Sequence, residues 1–240
     1  MLRIYLSNTH SVNNQISITA DKARYLASVL RCKEGDALVI FNGAGDCFKT
    51  KISKVGKKEV IADILEKFPC NPESPVNITL VQSLLKGEKM DLVIQKTTEL
   101  GVKEIFPVIT ERSQLRETRK VIRWQKIAEE ASRQSGRTVI PVVHEPVSFQ
   151  DIFTGNDLKG FIFYEEGVER FSDAISSFIS HSSSSLFIVI GPEGGFTKEE
   201  VELAKEKGLV VASLGKRILR AETAAIAAVT LAQYALGDMG

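Results

Sequence analysis

Along residues 1–65 the apolar positions come in short runs, at 3–6, 15–18 and 37–41, followed by alternation of apolar and polar residues at 47–55 and 59–65. Alternation with period two places the apolar side chains on one face of a pleated strand, so these segments read as strands with one buried face. Asn42 with Gly43 and Gly45 with Asp46 are turn signals between strand patterns. One stretch breaks the series: Thr19, a residue type suited to capping, precedes residues 20–30, which read as an amphipathic helix. The pattern predicts a small β-barrel with one helix over residues 1–70.

Residues 68–75 hold three prolines and no hydrophobic period, which predicts a stiff linker at 71–75. From residue 76 the pattern changes. Strands are expected at 76–83, 104–109, 160–164, 186–190 and 209–213, and those at 186–190 and 209–213 are continuous apolar runs, as strands buried on both faces of a parallel sheet require. Helices alternate with them. Residues 88–100 carry Met90, Val93, Ile94, Thr97 and Leu100 at helical spacing, with Gly101 closing the helix. Trp124, Ile127, Ala128 and Ala131 form a second apolar stripe, and residues 171–179 a short amphipathic helix. Thr197 and Glu200 make a capping box for a helix ended by Gly208. Residues 222–236 are apolar nearly all round, so that helix is covered by its own fold or by a partner. The expectation is an α/β domain with a mainly parallel sheet over 76–240.

Composition leaves this picture in place. At 240 residues, 43% apolar and 25% charged, the chain is an ordinary globular one with room for two domains. No run of 18 apolar residues occurs and the N-terminus is polar by Ser7, which predicts neither membrane span nor signal peptide and a cytoplasmic location. Cys32, Cys47 and Cys70 lack CxxC spacing and read as reduced thiols; His10, His144 and His181 are isolated, so no metal is expected.

Charge adds one hint. Residues 1–70 carry 11 Lys and Arg against 7 Asp and Glu, a balance of +4, while the remainder holds 20 against 23, or −3. A basic module beside a near-neutral one is compatible with RNA binding. Between residues 110 and 137 stand eight basic residues (Arg112, Arg116, Arg119, Lys120, Arg123, Lys126, Arg133, Arg137) against four acidic ones. Guanidinium forks suit phosphates and stack on bases, which favours RNA contact over a surface serving solubility alone.

Candidate chemistry lies beyond the carboxyl ends of the last two strands, where parallel sheets bind ligands. Gly191, Pro192, Glu193, Gly194 and Gly195 form a loop whose glycines let backbone N–H groups approach a ligand. Leu214, Gly215, Arg217, Ile218, Leu219, Arg220, Glu222, Thr223 and Ala224 follow the next strand. Neither a GxGxxG turn nor a P-loop is present, which speaks against a nucleotide-binding oxidoreductase. Together the two loops resemble those of the RsmE family, in the SPOUT class of RNA methyltransferases. Residues 86–101, 110–113 and 134–137 are also similar to stretches of that family.

The resemblance implies an N-terminal PUA-like RNA-binding barrel and a SPOUT domain with a deep trefoil knot. It implies S-adenosyl-L-methionine as cofactor, N3 of a uridine in 16S ribosomal RNA of the small subunit as substrate, and a homodimer. The cofactor set would be Glu165, in the first of three loops, then Ile190, Gly191, Pro192, Glu193, Gly194 and Gly195, then Leu214, Gly215, Ile218, Leu219 and Ala224. Methylating a weakly acidic N3 requires alignment of donor and acceptor and help with proton loss. Arg220, Arg112 and Glu99 are the candidate catalytic residues, with Glu222 as either an alternative base or a helix-dipole carboxylate. Arg24, Arg31, Arg116, Arg137 and Arg217 are the candidate RNA contacts, although Arg24 and Arg31 also fit the polar face of a helix. A ribosome-associated RNA-binding module without catalysis is the alternative function.

Overall fold

A computed structural model describes residues 2–6, 9, 11–43, 45–69, 72–154, 158–167, 169–179 and 185–240. His10, Cys70, Asn71 of the expected linker and His181 lie outside the described residues. The chain forms two compact units, Met1–Glu73 with Ser132–Ile140, and Ser74–Ala131 with Pro141–Gly240. The linear division into 1–70 and 76–240 does not contain the excursion through 132–140.

Unit 1 is a curled six-stranded sheet of β1 (Leu2–Tyr5), β2 (Ser11–Val12), β3 (Gln15–Thr19), β4 (Ala37–Phe41), β5 (Asp46–Val55) and β6 (Glu59–Pro69). Its order is β1-β4-β5-β6-β3-β2; β1 and β4 run parallel and the other pairs antiparallel. Register shifts in the β5–β6 ladder, at Lys49/Thr50 and Ile52/Lys54, are the irregularities that let a long hairpin bend. Ile16, Ile18, Leu26, Leu38, Ile40, Ile52 and Val60 fill the concave side. The expected helix over 20–30 divides into α1 (Ala20–Arg24) and a π-helical turn, Tyr25–Val29, closed by Leu30 N–H on the Tyr25 carbonyl at 3.0 Å. Thr19 makes no side-chain cap bond: Ala20 has φ 56°, outside the helical region, so the capping geometry is not reached. Cys32 is free but Cys47 is disulfide-bonded, against the expectation of reduced thiols.

The 132–140 segment completes unit 1. Ile140 packs with Tyr5, Val39, Phe41, Cys47 and Phe68 on the other side of the sheet. Arg137 is 4% exposed, and its Nε and Nη2 donate to Glu73 Oε2 at 3.0 and 2.6 Å. The other carboxylate oxygen accepts from the N–H groups of Thr138 (2.9 Å) and Val139 (3.0 Å). Arg3 Nη2 donates to the Arg137 carbonyl at 3.4 Å. Arg137 is therefore a buried structural arginine, which corrects its reading as an RNA contact.

In unit 2, β7 (Asn77–Ser83), α2 (Lys89–Glu99) and β8 (Glu104–Ile109) are followed by α3 (Val121–Ser135), whose last turn belongs to unit 1. After β9 (Val142–Val143) and β10 (Val147–Ser148) come β11 (Gly160–Phe163), β12 (Glu169–Arg170), α4 (Phe171–Ile179), β13 (Ser185–Ile190), α5 (Lys198–Glu206), β14 (Leu209–Ser213) and α6 (Ala221–Leu236). The sheet order is β10-β8-β7-β13-β11-β14-β12, with β9 also on β8, and every pairing is parallel. Ile78, Leu80, Val81, Phe161, Ile162, Ile188 and Val189 are fully buried, as the unbroken apolar runs require. Along α6, Ala221, Ala225, Ala228, Val229 and Ala232 are buried, while Leu231 and Tyr234 are 45% and 67% exposed. Among the described residues no helix is long and apolar enough to cross a membrane.

Candidate cofactor and substrate site

Strands β13, β11 and β14 are neighbours and parallel, so the loops after them leave the sheet at one end. These loops enclose a cavity of about 330 Å³. Of the expected cofactor residues, Glu165 lines it from the first loop, Ile190, Gly191, Pro192, Glu193 and Gly195 from the second, and Leu214, Gly215, Ile218, Leu219 and Ala224 from the third. Gly194 does not face the cavity; a Cβ there would lie 3.2 Å from Arg112 Cβ.

Local chemistry explains the shape of the second loop. Gly195 has φ 68°, and a Cβ on it would come within 3.2 Å of Glu165 Oε2. A Cβ on Gly191 would stand 3.1 Å from the Phe196 ring. The loop runs into the capping box: Thr197 N–H donates to Glu200 Oε2 at 2.9 Å and Glu200 N–H to Thr197 Oγ1 at 3.2 Å. On the other flank, Lys89 Nζ donates to Glu193 Oε1 at 2.8 Å and the Lys86 N–H reaches it at 3.4 Å. Burial pushes the Glu193 carboxyl up, but hydrogen bonds from Lys89, its own backbone and Lys86 outweigh burial and hold it below the usual carboxylate range. Burial, then the Glu166 and Glu165 charges, push the Tyr164 hydroxyl up. Tyr164 therefore lines the cavity as a protonated phenol.

Arg217 and Arg220 line the cavity, and their side chains make no hydrogen bond or ion pair among the described residues. Arg112 does not line it. Its Nη1 donates to the carbonyls of Gly194 (3.1 Å) and Phe196 (3.2 Å), so it holds the loop. Glu99 is not brought to the site. It pairs with Lys96 at 2.9 Å on the last turn of α2, ten residues and about 15 Å of helix from Lys89 at the cavity. Helix direction is the reason: α2 leaves the carboxyl end of the sheet and carries its last turn away from it. Arg116 Nη2 donates to the Glu111 carbonyl. Arg24 and Arg31 are exposed in unit 1. Glu222 does not line the cavity, and its Oε2 is buried without a hydrogen-bond partner in the first turn of α6.

Lys89, Tyr164, Phe163, Phe196, Ser213 and Ala221 also line the cavity and were not expected there. Phe163, Tyr164 and Ser213 sit where strand becomes loop, a position that flags them once the strand ends are known. Lys89 carries no such signal, because its place depends on the loop after β7 reaching Glu193.

The parallel sheet, with the loops after adjacent strands walling one cavity, is an α/β arrangement that binds a ligand at its carboxyl end. Residues 72–233 match the model of an RNA methyltransferase domain, and 18–65 that of an RNA methyltransferase PUA domain. The chain is 35% identical to ribosomal RNA small subunit methyltransferase E of Rickettsia conorii, over 95% of this chain and 93% of that one. With the Bacillus subtilis protein of the same name it shares 36%, over 91% and 89%. A solved ribosomal RNA small subunit methyltransferase E from Neisseria gonorrhoeae, bound to S-adenosyl methionine, superimposes with TM-score 0.91 at 34% identity and covers 100% of both chains. The chain belongs to the ribosomal RNA small subunit methyltransferase E family, the RsmE family.

Proposed function

We propose that this protein is an S-adenosyl-L-methionine-dependent methyltransferase acting on N3 of one uridine in 16S ribosomal RNA, within the small ribosomal subunit. The observation that carries this reading is the cavity walled by three strand-end loops, with unpartnered arginines on its rim, in a chain of this family.

The residues fit the cofactor. A Cβ at Gly191 or Gly195 would press on the Phe196 ring or the Glu165 carboxylate, both of which line the cavity, and Ile190, Leu219 and Ala224 offer apolar wall to an adenine. The Glu165 carboxylate, which accepts no hydrogen bond among the described residues, suits the cofactor's hydroxyl or ammonium donors. When bound, S-adenosyl-L-methionine supplies a methyl group on a sulfonium; the N3–C bond forms, the S–C bond breaks with its electron pair staying on sulfur, and the N3 proton passes to solvent water. Arg220, at the start of α6, and Arg217 hold the RNA at the rim and stabilise the negative charge that develops on the uracil oxygens. Lys89 engages Glu193 and keeps that carboxylate from serving as a free base.

Arg24 and Arg31 extend the RNA contact on the PUA-like unit, a SPOUT trefoil knot threads the catalytic domain, and the enzyme is cytoplasmic. Leu231 and Tyr234, the exposed apolar residues of α6, are covered in a homodimer. Valine at Gly195 places a β-branched side chain at φ 68° against Glu165, at a strain of about 1–3 kcal/mol. Calorimetry on this variant is expected to show cofactor binding weakened about tenfold or more with the fold retained; wild-type affinity would remove Gly195 from the site.

The function is tested by incubating small subunits lacking the modification with methyl-labelled cofactor and digesting the RNA to nucleosides. Label is expected in 3-methyluridine at one position. Label on ribose, on another base, or on no RNA would overturn the reading, and the last result would favour a non-catalytic RNA-binding module.

A further inference from the structure

We propose that Arg112 is a positioning residue that fixes the cofactor-facing wall of the cavity, acting through the backbone of residues 194–196 rather than on RNA or on the reacting atoms. This inference rests on the cofactor reading of the cavity given above.

Arg112 is held by the turn in which it stands. It follows β8 inside a tight turn in which Thr110 N–H donates to Ser113 Oγ at 3.0 Å and Ser113 N–H to the Thr110 carbonyl at 3.1 Å. Thr110 and Ser113 are 2% and 5% exposed, so the turn is anchored in the protein. From it, two consecutive residues reach across to the segment after β13. Arg112 Nη1 donates to the carbonyls of Gly194 and Phe196, and the Glu111 N–H donates to Glu200 Oε1 at 2.8 Å. Glu200 is the carboxylate whose other oxygen closes the capping box on Thr197. One carboxylate thus joins the turn after β8 to the start of α5, and one guanidinium joins it to the loop just before.

The bonded carbonyls belong to residues that define the wall. Phe196 is 1% exposed, lines the cavity and packs on Phe149 at 5.4 Å between ring centroids. Gly194 precedes Gly195, whose left-handed φ and whose N–H bond to the Pro192 carbonyl at 3.0 Å fix the turn that lines the cavity. A cation that holds both carbonyls selects one backbone path through Gly195, and a charged donor on two carbonyls is stronger than a neutral one. The guanidinium is committed to carbonyls, and Arg112 is absent from the cavity lining; neither feature suits a group that stabilises the uracil anion.

The test separates cofactor affinity from turnover. Isothermal titration of S-adenosyl-L-methionine, without RNA, into wild type, Arg112→Met and Arg112→Lys is expected to give a Kd about tenfold higher for Arg112→Met, with partial recovery in Arg112→Lys. In methylation assays the KM for cofactor should rise in parallel, while kcat at saturating cofactor and the KM for RNA change by less than about threefold. An unchanged Kd in Arg112→Met, or a fall in kcat with Kd unchanged, would overturn the proposal. Glu200→Ala cuts the neighbouring tie, and the same rise in Kd is expected; normal cofactor affinity there would overturn the clamp even if Arg112→Met does not fold. Failure of the wild type to bind S-adenosyl-L-methionine would sink the functional reading itself, a result distinct from either.

Discussion

Arg220→Ala is expected to lower methyl transfer to RNA by about 10²-fold or more while cofactor affinity stays within about threefold. Removing a single preorganised donor from a developing negative charge costs about 10²–10³ in rate, and Arg220 lines the cavity from the N-cap position of α6. Its side chain has no partner among the described residues, so the substitution orphans nothing within the protein and the fold should survive. Arg217, within the loop after β14, should act differently. A phosphate contact weakens RNA binding and reduces the salt slope by about one, without the same loss in turnover at saturating RNA. Single-turnover rates at saturating RNA and cofactor, with calorimetry on the same samples, decide the matter. Equal rates for Arg220→Ala and wild type would take Arg220 out of the chemistry.

The largest expected effect on stability lies in unit 1. Glu73→Ala should destabilise that unit by about 3–5 kcal/mol, the range for stranding one half of a buried ion pair. The side chains are 8% and 5% exposed for Glu73 and Arg137, and the same carboxylate also satisfies the Thr138 and Val139 N–H groups. Against a domain stability of about 5–15 kcal/mol the loss is severe. Glu73→Gln keeps one carbonyl acceptor and should fall between. The only tryptophan, Trp124, lies in unit 2, so its fluorescence does not report the event. Amide exchange of the β5–β6 ladder does, and unchanged protection there would refute the assigned role of the pair.

Local features were legible in the sequence because local forces make them. Continuous apolar runs marked the parallel strands, the Thr197 and Glu200 box marked the start of α5, and the glycines of the second loop marked the cavity wall. What stayed hidden depends on distant partners. Arg112 and Arg137 read alike as arginines in a basic stretch, yet one is tied to carbonyls 82 and 84 residues away and the other to a carboxylate 64 residues away. Arg123 is likewise engaged, by Asp91 at 2.6 Å. Counting cations in a segment cannot tell which of them the fold consumes. Glu99 failed for another reason, since a residue on a helix between parallel strands reaches the ligand end only if it sits near that helix's start.

The passage of residues 132–140 through unit 1 bears on the order of synthesis. Domains made on a ribosome generally fold N-terminal first, at about 5–20 residues per second of elongation. Here the N-terminal sheet emerges with Glu73 at its end, but Arg137 and the Ile140 side chain come 64 and 67 residues later, by which point β7, α2 and β8 have already left the tunnel. Those 67 residues amount to a wait of about 3–13 s at that speed. The nascent sheet spends it with its terminal carboxylate unmatched and the Tyr5, Phe41 and Phe68 face uncovered. The first unit to emerge is thereby the one that must wait, and its completion is timed by the translation of the second.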